Sequence, residues 1–93
     1  MKEIDYRAIG TRIRNCRRQA HMTQEQLAER AGISLSFLGH IERGSRIASV
    51  ETIIRLSDAL SADIHYWLTG EDKARDENEI IRRYLQGCID GLS

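Results

Sequence analysis

Ser36 and His40 stand four residues apart, with Arg43 three further on, in the run Leu35-Ser36-Phe37-Leu38-Gly39-His40-Ile41-Glu42-Arg43. At about 100° per residue these three share one face of a helix with Leu35 and Gly39, while Phe37, Leu38 and Ile41 fall on the opposite side. The second set is apolar and reads as core. Few of the first set look selected for packing or for solubility. A hydroxyl, an imidazole and a guanidinium can meet base edges in a major groove roughly 12 Å wide, which admits one α-helix. The chain shows no nucleophile-elbow glycines, no phosphate loop and no paired ligands at catalytic spacing, which argues against an enzyme. Cys16 and Cys88 lie far apart without metal-ligand spacing, so neither a zinc site nor a disulfide is expected, and no cofactor is implied. Both read as small packed residues, and His21 and His65 as structural.

Electrostatics agrees with such a surface once the chain is divided. The formal net charge is zero. From Met1 to Ile47, however, nine Lys and Arg face five Asp and Glu, giving +4, and from Ala48 onward five face nine, giving −4. Arg7, Arg12, Arg14, Arg17 and Arg18 form one stretch with no acid between them. Alone, such a cluster is commonly a solvated helix face; beside the 35–43 run it becomes a candidate phosphate-facing surface.

The elements that must hold these groups are helical. The 93 residues suit one domain and a short extension. With 41% hydrophobic and 30% charged residues, the composition is that of a soluble globular chain. No apolar run approaches a membrane span and the N-terminus lacks a signal-peptide core, so a cytoplasmic location is expected. There is no proline. Ile9, Ile13, Cys16 and Ala20 mark the apolar side of a first helix from Asp5 to about Ala20. Thr23 followed by Gln26 is a capping-box pattern for a second, which stops at Gly32. Ser34 caps the third, ending near Gly44, and the short connection forces a sharp angle between helices two and three. Ser49 caps a fourth with Val50, Ile53, Leu56 and Leu60, and Asp63 a fifth with Ile64, Trp67 and Leu68.

Three segments, Gln24-Glu25-Gln26-Leu27-Ala28, Gly32-Ile33-Ser34 and Ile41-Glu42-Arg43-Gly44, stand at the spacings of the phage repressor and Cro-type (XRE) helix-turn-helix family. The chain resembles that family from about Ile9 to Gly70, through Ser49-Val50-Glu51-Thr52 and Trp67-Leu68. The resemblance implies an all-α, five-helix, lambda-repressor-like DNA-binding domain over residues 1–70. It implies base contacts from Leu35, Ser36, Gly39 and His40, and DNA-backbone contacts from Gln24, Arg43, Ser45 and Arg46. Arg17 and Glu42 resemble the family's ion pair tying helix one to the recognition helix. The sequence departs from the family where Leu35 and Gly39 replace side chains that are often polar, which shifts hydrogen-bonded readout to Ser36, His40 and Arg43.

Residues 71–93 read as a linker and a C-terminal amphipathic helix. Its stripe, Ile80, Ile81, Tyr84, Leu85, Cys88 and Ile89, must be covered, either by its own domain or by the same helix of a second chain. The second reading gives a homodimer on an inverted-repeat operator of double-stranded DNA, acting as a transcriptional regulator and repressor. An antitoxin-type module that binds a toxin or other protein partner as well as its own operator shares every motif.

Overall fold

The computed structural model describes residues 3–71 and, beyond them, Leu85. Its five helices are α1 (Tyr6–Gln19), α2 (Gln24–Ala31), α3 (Leu35–Arg43), α4 (Val50–Leu60) and α5 (Ile64–Thr69). Each begins where a short polar side chain takes up an amide that has no partner inside the helix. Asp5 accepts from the Ala8 N–H at 3.1 Å, Ser34 from Phe37 at 3.0 Å, Ser49 from Thr52 at 3.2 Å and Asp63 from His65 at 3.0 Å. At Thr23 the exchange is reciprocal: its hydroxyl accepts from the Gln26 N–H at 3.1 Å, and the Gln26 side chain accepts from the Thr23 N–H at 2.9 Å.

α1 packs on α3 and α5, α2 on α3 and α4, and α4 on α5. Ile13, Leu27, Leu38, Leu56 and Trp67 are completely buried at the centre, with Ile9, Ala28, Ala31 and Ile41 around them. Two glycines set how closely α1 approaches α3. A Cβ on Gly10 would lie 2.8 Å from the Glu42 carbonyl carbon, and one on Gly44 would lie 2.7 Å from the Arg7 Cα. Gly44 also ends α3 at a φ of 73°, a left-handed conformation open to glycine at no steric cost.

Trp67 brings α5 onto α1. Its indole N–H donates to the Cys16 Sγ at 3.1 Å, and the Arg12 guanidinium donates to its carbonyl at 3.0 Å. Cys16 therefore packs as a small residue and also satisfies the one polar atom of the indole. His21 lies between α1 and α2 with a φ of 56°.

Three apolar positions differ from the periodic pattern. Ala20 is exposed at the C-cap of α1, Val50 is 76% exposed and Leu68 is 50% exposed. Val50 is the first residue of α4, and a helical Cβ tilts toward the N-terminus, so its side chain points past the packed turns. With Ile4, Ile47 and Ile54, Val50 and Leu68 line a shallow apolar groove. The expected C-terminal helix, with Ile80, Ile81, Tyr84, Cys88 and Ile89, lies outside the described residues. Leu85 is described, in helical conformation and about half exposed.

Candidate nucleic-acid interface

Three residues, Gly32, Ile33 and Ser34, separate α2 from α3. α3 buries Leu38 and Ile41 and half-buries Phe37, as the wheel requires. Leu35, Ser36 and Arg43 are exposed on its outward side. Gly39 departs from expectation. It is buried rather than open, and its cover is the Arg43 side chain: a Cβ at position 39 would lie 3.0 Å from Arg43 Nη1. A helical wheel gives the direction of a position but not what the side chain one turn later does above it.

His40 is half-buried and held from the far end of the helix. Its Nδ1 lies 2.9 Å from the Ser45 hydroxyl, and that hydroxyl also donates to the His40 carbonyl at 3.2 Å. The Ser45 N–H donates to the same carbonyl at 3.0 Å. A serine has one hydroxyl hydrogen. When the carbonyl takes it, Nδ1 must be the donor to Ser45 Oγ, which in the neutral imidazole leaves Nε2 as a hydrogen-bond acceptor. Ser45, expected along the DNA backbone, thus turns both its hydroxyl and its N–H to His40.

Behind the outward face, Arg17 and Glu42 meet as the sequence resemblance implied. Arg17 Nε donates to Glu42 Oε2 at 2.7 Å and Nη2 to Oε1 at 3.1 Å, a bidentate pair with side chains 10% and 2% exposed. Arg17 Nη1 donates to the Met22 carbonyl at 2.9 Å. Gln24 Nε2 donates to Glu42 Oε1 at 3.0 Å. One carboxylate therefore joins α1, the start of α2 and α3, and it fixes Gln24, which the residue pattern alone had given no protein partner.

Arg14 and Arg18 on α1 line one depression with Thr23, Gln24, Glu25 and Leu35. The capping box leaves the first amides of α2, at Gln24 and Glu25, without a partner inside the helix. Positive side chains and a helix N-terminus beside the α3 face are suited to an anion, a phosphate above all. Arg14 and Arg18 were visible in the sequence as part of the arginine stretch, but nothing in it separates them from Arg12, which is used on the Trp67 carbonyl. Arg46 is exposed just beyond α3.

A sequence profile described as helix-turn-helix matches residues 13–67. The chain is 41% identical over 63 residues to an HTH-type transcriptional regulator of Mycobacterium tuberculosis, a match covering 66% of this chain and 45% of that protein. It thus spans less than half the length of that relative. Among solved structures, the restriction-modification controller protein C.AhdI from Aeromonas hydrophila superposes with a TM-score of 0.66 at 33% identity, covering 69% of this chain and 97% of the controller. The P22 c2 repressor, solved in complex with a synthetic operator, superposes with a TM-score of 0.65 at 30% identity, covering 68% and 96%.

Proposed function

Since this chain belongs to the XRE-type helix-turn-helix family of DNA-binding transcriptional regulators, we propose that it binds double-stranded operator DNA as a homodimer and represses transcription, with α3 in the major groove. The observation that carries this reading is the outward face of α3, braced from behind by the buried Arg17, Glu42 and Gln24 network and flanked by the Arg14 and Arg18 depression. A rigid support keeps a reading face from reorganising when it binds, which preserves affinity and discrimination.

Leu35, Ser36 and His40 face the bases, along the strip that passes over Gly39. Leu35 suits a thymine methyl group, and the His40 Nε2 acceptor suits an exocyclic amino group. Gln24, Arg14, Arg18 and Arg46, with Ser45 beside it, lie along the sugar-phosphate backbone, where contacts position the protein without reading sequence. The P22 c2 repressor, similar in fold and sequence, was solved on an operator, which supports a DNA ligand for the matching surface.

One short helix makes few base contacts, so a second copy on a second half-site multiplies the discrimination. Residues 71–93 supply the dimer contact through Ile80, Ile81, Tyr84, Leu85, Cys88 and Ile89; Leu85, the described residue among these six, is half-exposed. In a two-fold dimer the recognition helices enter successive major grooves about 34–36 Å apart, so the operator is an inverted repeat.

Selection of random duplexes by the full chain tests the reading. A two-fold symmetric consensus is expected, with affinity falling steeply between low and moderate salt as phosphate contacts release counterions. A reporter carrying that consensus across its promoter is expected to be silenced when the protein is expressed. No enriched sequence, or affinity indifferent to salt, overturns the proposal.

A further inference from the structure

Two glycines lie inside described helices, and they are there for different reasons. Gly10 is required by the α3 backbone pressed against it. Gly39 meets no such backbone. The three atoms nearest to a Cβ built on it all belong to the Arg43 guanidinium: Nη1 at 3.0 Å, Nη2 at 3.6 Å and Cζ at 3.7 Å. A glycine in a helix interior weakens the helix relative to alanine, so the packing of the fold alone gives this one no purpose.

Helical side chains lean toward the N-terminus and cover the turn before their own Cα. Leu35, Gly39 and Arg43 form one row at four-residue steps on the outward face. With no side chain at position 39, the arginine folds back one turn and sets its planar fork over the middle of the reading helix. Among the described residues no hydrogen bond or ion pair occupies that guanidinium. The fork is thus presented, without a partner among the described residues, at the place where a side chain from position 39 would otherwise meet a base.

Resting on the DNA-binding reading above, we propose that Arg43 is a base-reading residue specific for guanine, and that Gly39 determines this specificity by leaving room for it. Guanine presents two acceptors side by side in the major groove, O6 and N7, which match two parallel N–H groups of the fork. Adenine presents one acceptor beside an amino donor, cytosine an amino donor, and thymine a single acceptor beside a methyl group. A group that only donates satisfies both bonds on guanine alone. This replaces the DNA-backbone role that the family resemblance gives Arg43, and it names the base for the readout that the departures at Leu35 and Gly39 shift toward it. It also explains how a recognition helix with glycine at a reading position keeps a specific contact there.

Duplex selection with the wild-type full chain and with Arg43→Ala and Gly39→Gln provides the test. Alanine removes the donors, and glutamine fills the place the fork occupies. Wild type is expected to select a G·C pair at one fixed position in each half-site. Both variants are expected to lose that preference while keeping the others, with affinity for the wild-type consensus falling roughly 5- to 150-fold. Replacing the guanine with 7-deazaguanine, which removes N7, is expected to weaken wild type about 10-fold or more and to leave Arg43→Ala nearly unchanged. Circular dichroism checks that all three proteins are folded. The proposal is overturned if Arg43→Ala weakens the consensus and a scrambled duplex equally with a shallower salt dependence, as for a phosphate contact, or if Gly39→Gln keeps the guanine preference. A wild-type chain that selects no sequence defeats the DNA-binding reading itself, a result distinct from a consensus that lacks this guanine.

Discussion

Truncating Glu42 to alanine tests the bracing of the reading head. The Glu42 carboxylate takes two bonds from Arg17 and one from Gln24, and its side chain is 2% exposed. In Glu42→Ala the Arg17 guanidinium stays buried with only the Met22 carbonyl as partner. Breaking a buried pair by removing one member typically costs about 3–5 kcal/mol, because the stranded charge keeps its desolvation penalty. A domain of this size starts near the low end of the roughly 5–15 kcal/mol usual for folded proteins. At about 4–8 °C per kcal/mol, the melting temperature should fall by roughly 12–40 °C. Replacing both partners, Arg17→Met with Glu42→Leu, leaves no charge to strand and is expected to recover most of that stability. Urea denaturation of wild type, Arg17→Met, Glu42→Leu and the double variant gives the coupling directly, with Glu42→Ala measured beside them. A Glu42→Ala cost below about 1 kcal/mol, the range of an exposed pair, would refute the burial reasoning. A double variant no more stable than Glu42→Ala would show that the loss came from packing.

Four further outcomes follow from the same contacts. Gly10→Ala is expected to destabilise by about 1–3 kcal/mol or more, since backbone rather than a flexible side chain must move; an unaltered thermal midpoint would show that α1 and α3 separate easily. Thr23→Ala removes the hydroxyl half of the capping box and is expected to cost about 1 kcal/mol in urea denaturation. Ser36→Ala and His40→Ala are expected to narrow the affinity gap between the best duplex and a scrambled one, whereas Gln24→Ala weakens both alike, measured by fluorescence anisotropy. Joint replacement of Ile81 and Leu85 by Asp is expected to give a folded monomer by sedimentation and circular dichroism, with two-half-site affinity lost; a surviving dimer would move the contact to the apolar groove around Ile47, Val50 and Ile54.

The sequence was most informative where the physics is local. A serine, threonine or aspartate caps the helix that follows within three residues, so Thr23, Ser34, Ser49 and Asp63 were legible from their neighbours alone, while Asp5, read as the start of α1, is its cap. Apolar period located Ile13, Leu38 and Leu56 for the same reason. It misplaced Ala20 and Val50 because period registers hydrophobicity and not whether another element lies opposite a helix end. Arg17 and Glu42 are 25 positions apart, and no spacing rule pairs them; only resemblance to a family did. Nothing in the pattern brought Gln24 to the same carboxylate, or set Arg14 and Arg18 apart from Arg12. Gly39 was read as a base-contact position, and its cover was not legible because it belongs to another residue's side chain.

The attachment of α5 has a consequence for how force and fluctuation pass through the chain. The helix has six residues, too few to persist by itself in water. Its hold depends on Trp67 in the core, with the indole bonded to Cys16 and the carbonyl to Arg12, partners 51 and 55 positions earlier. Closing a loop of that length carries an entropic cost that shorter-range contacts avoid, so this joint forms after the α2 and α3 pairing and opens at lower free energy. In the chain, α5 is the element that leads into residues 72–93. Tension from that end is felt first at Trp67 and Arg12, and through them by the helix that carries Arg17. The α5 amides are accordingly expected to exchange with solvent sooner than those of α3, with the fluorescence of the single tryptophan following the opening.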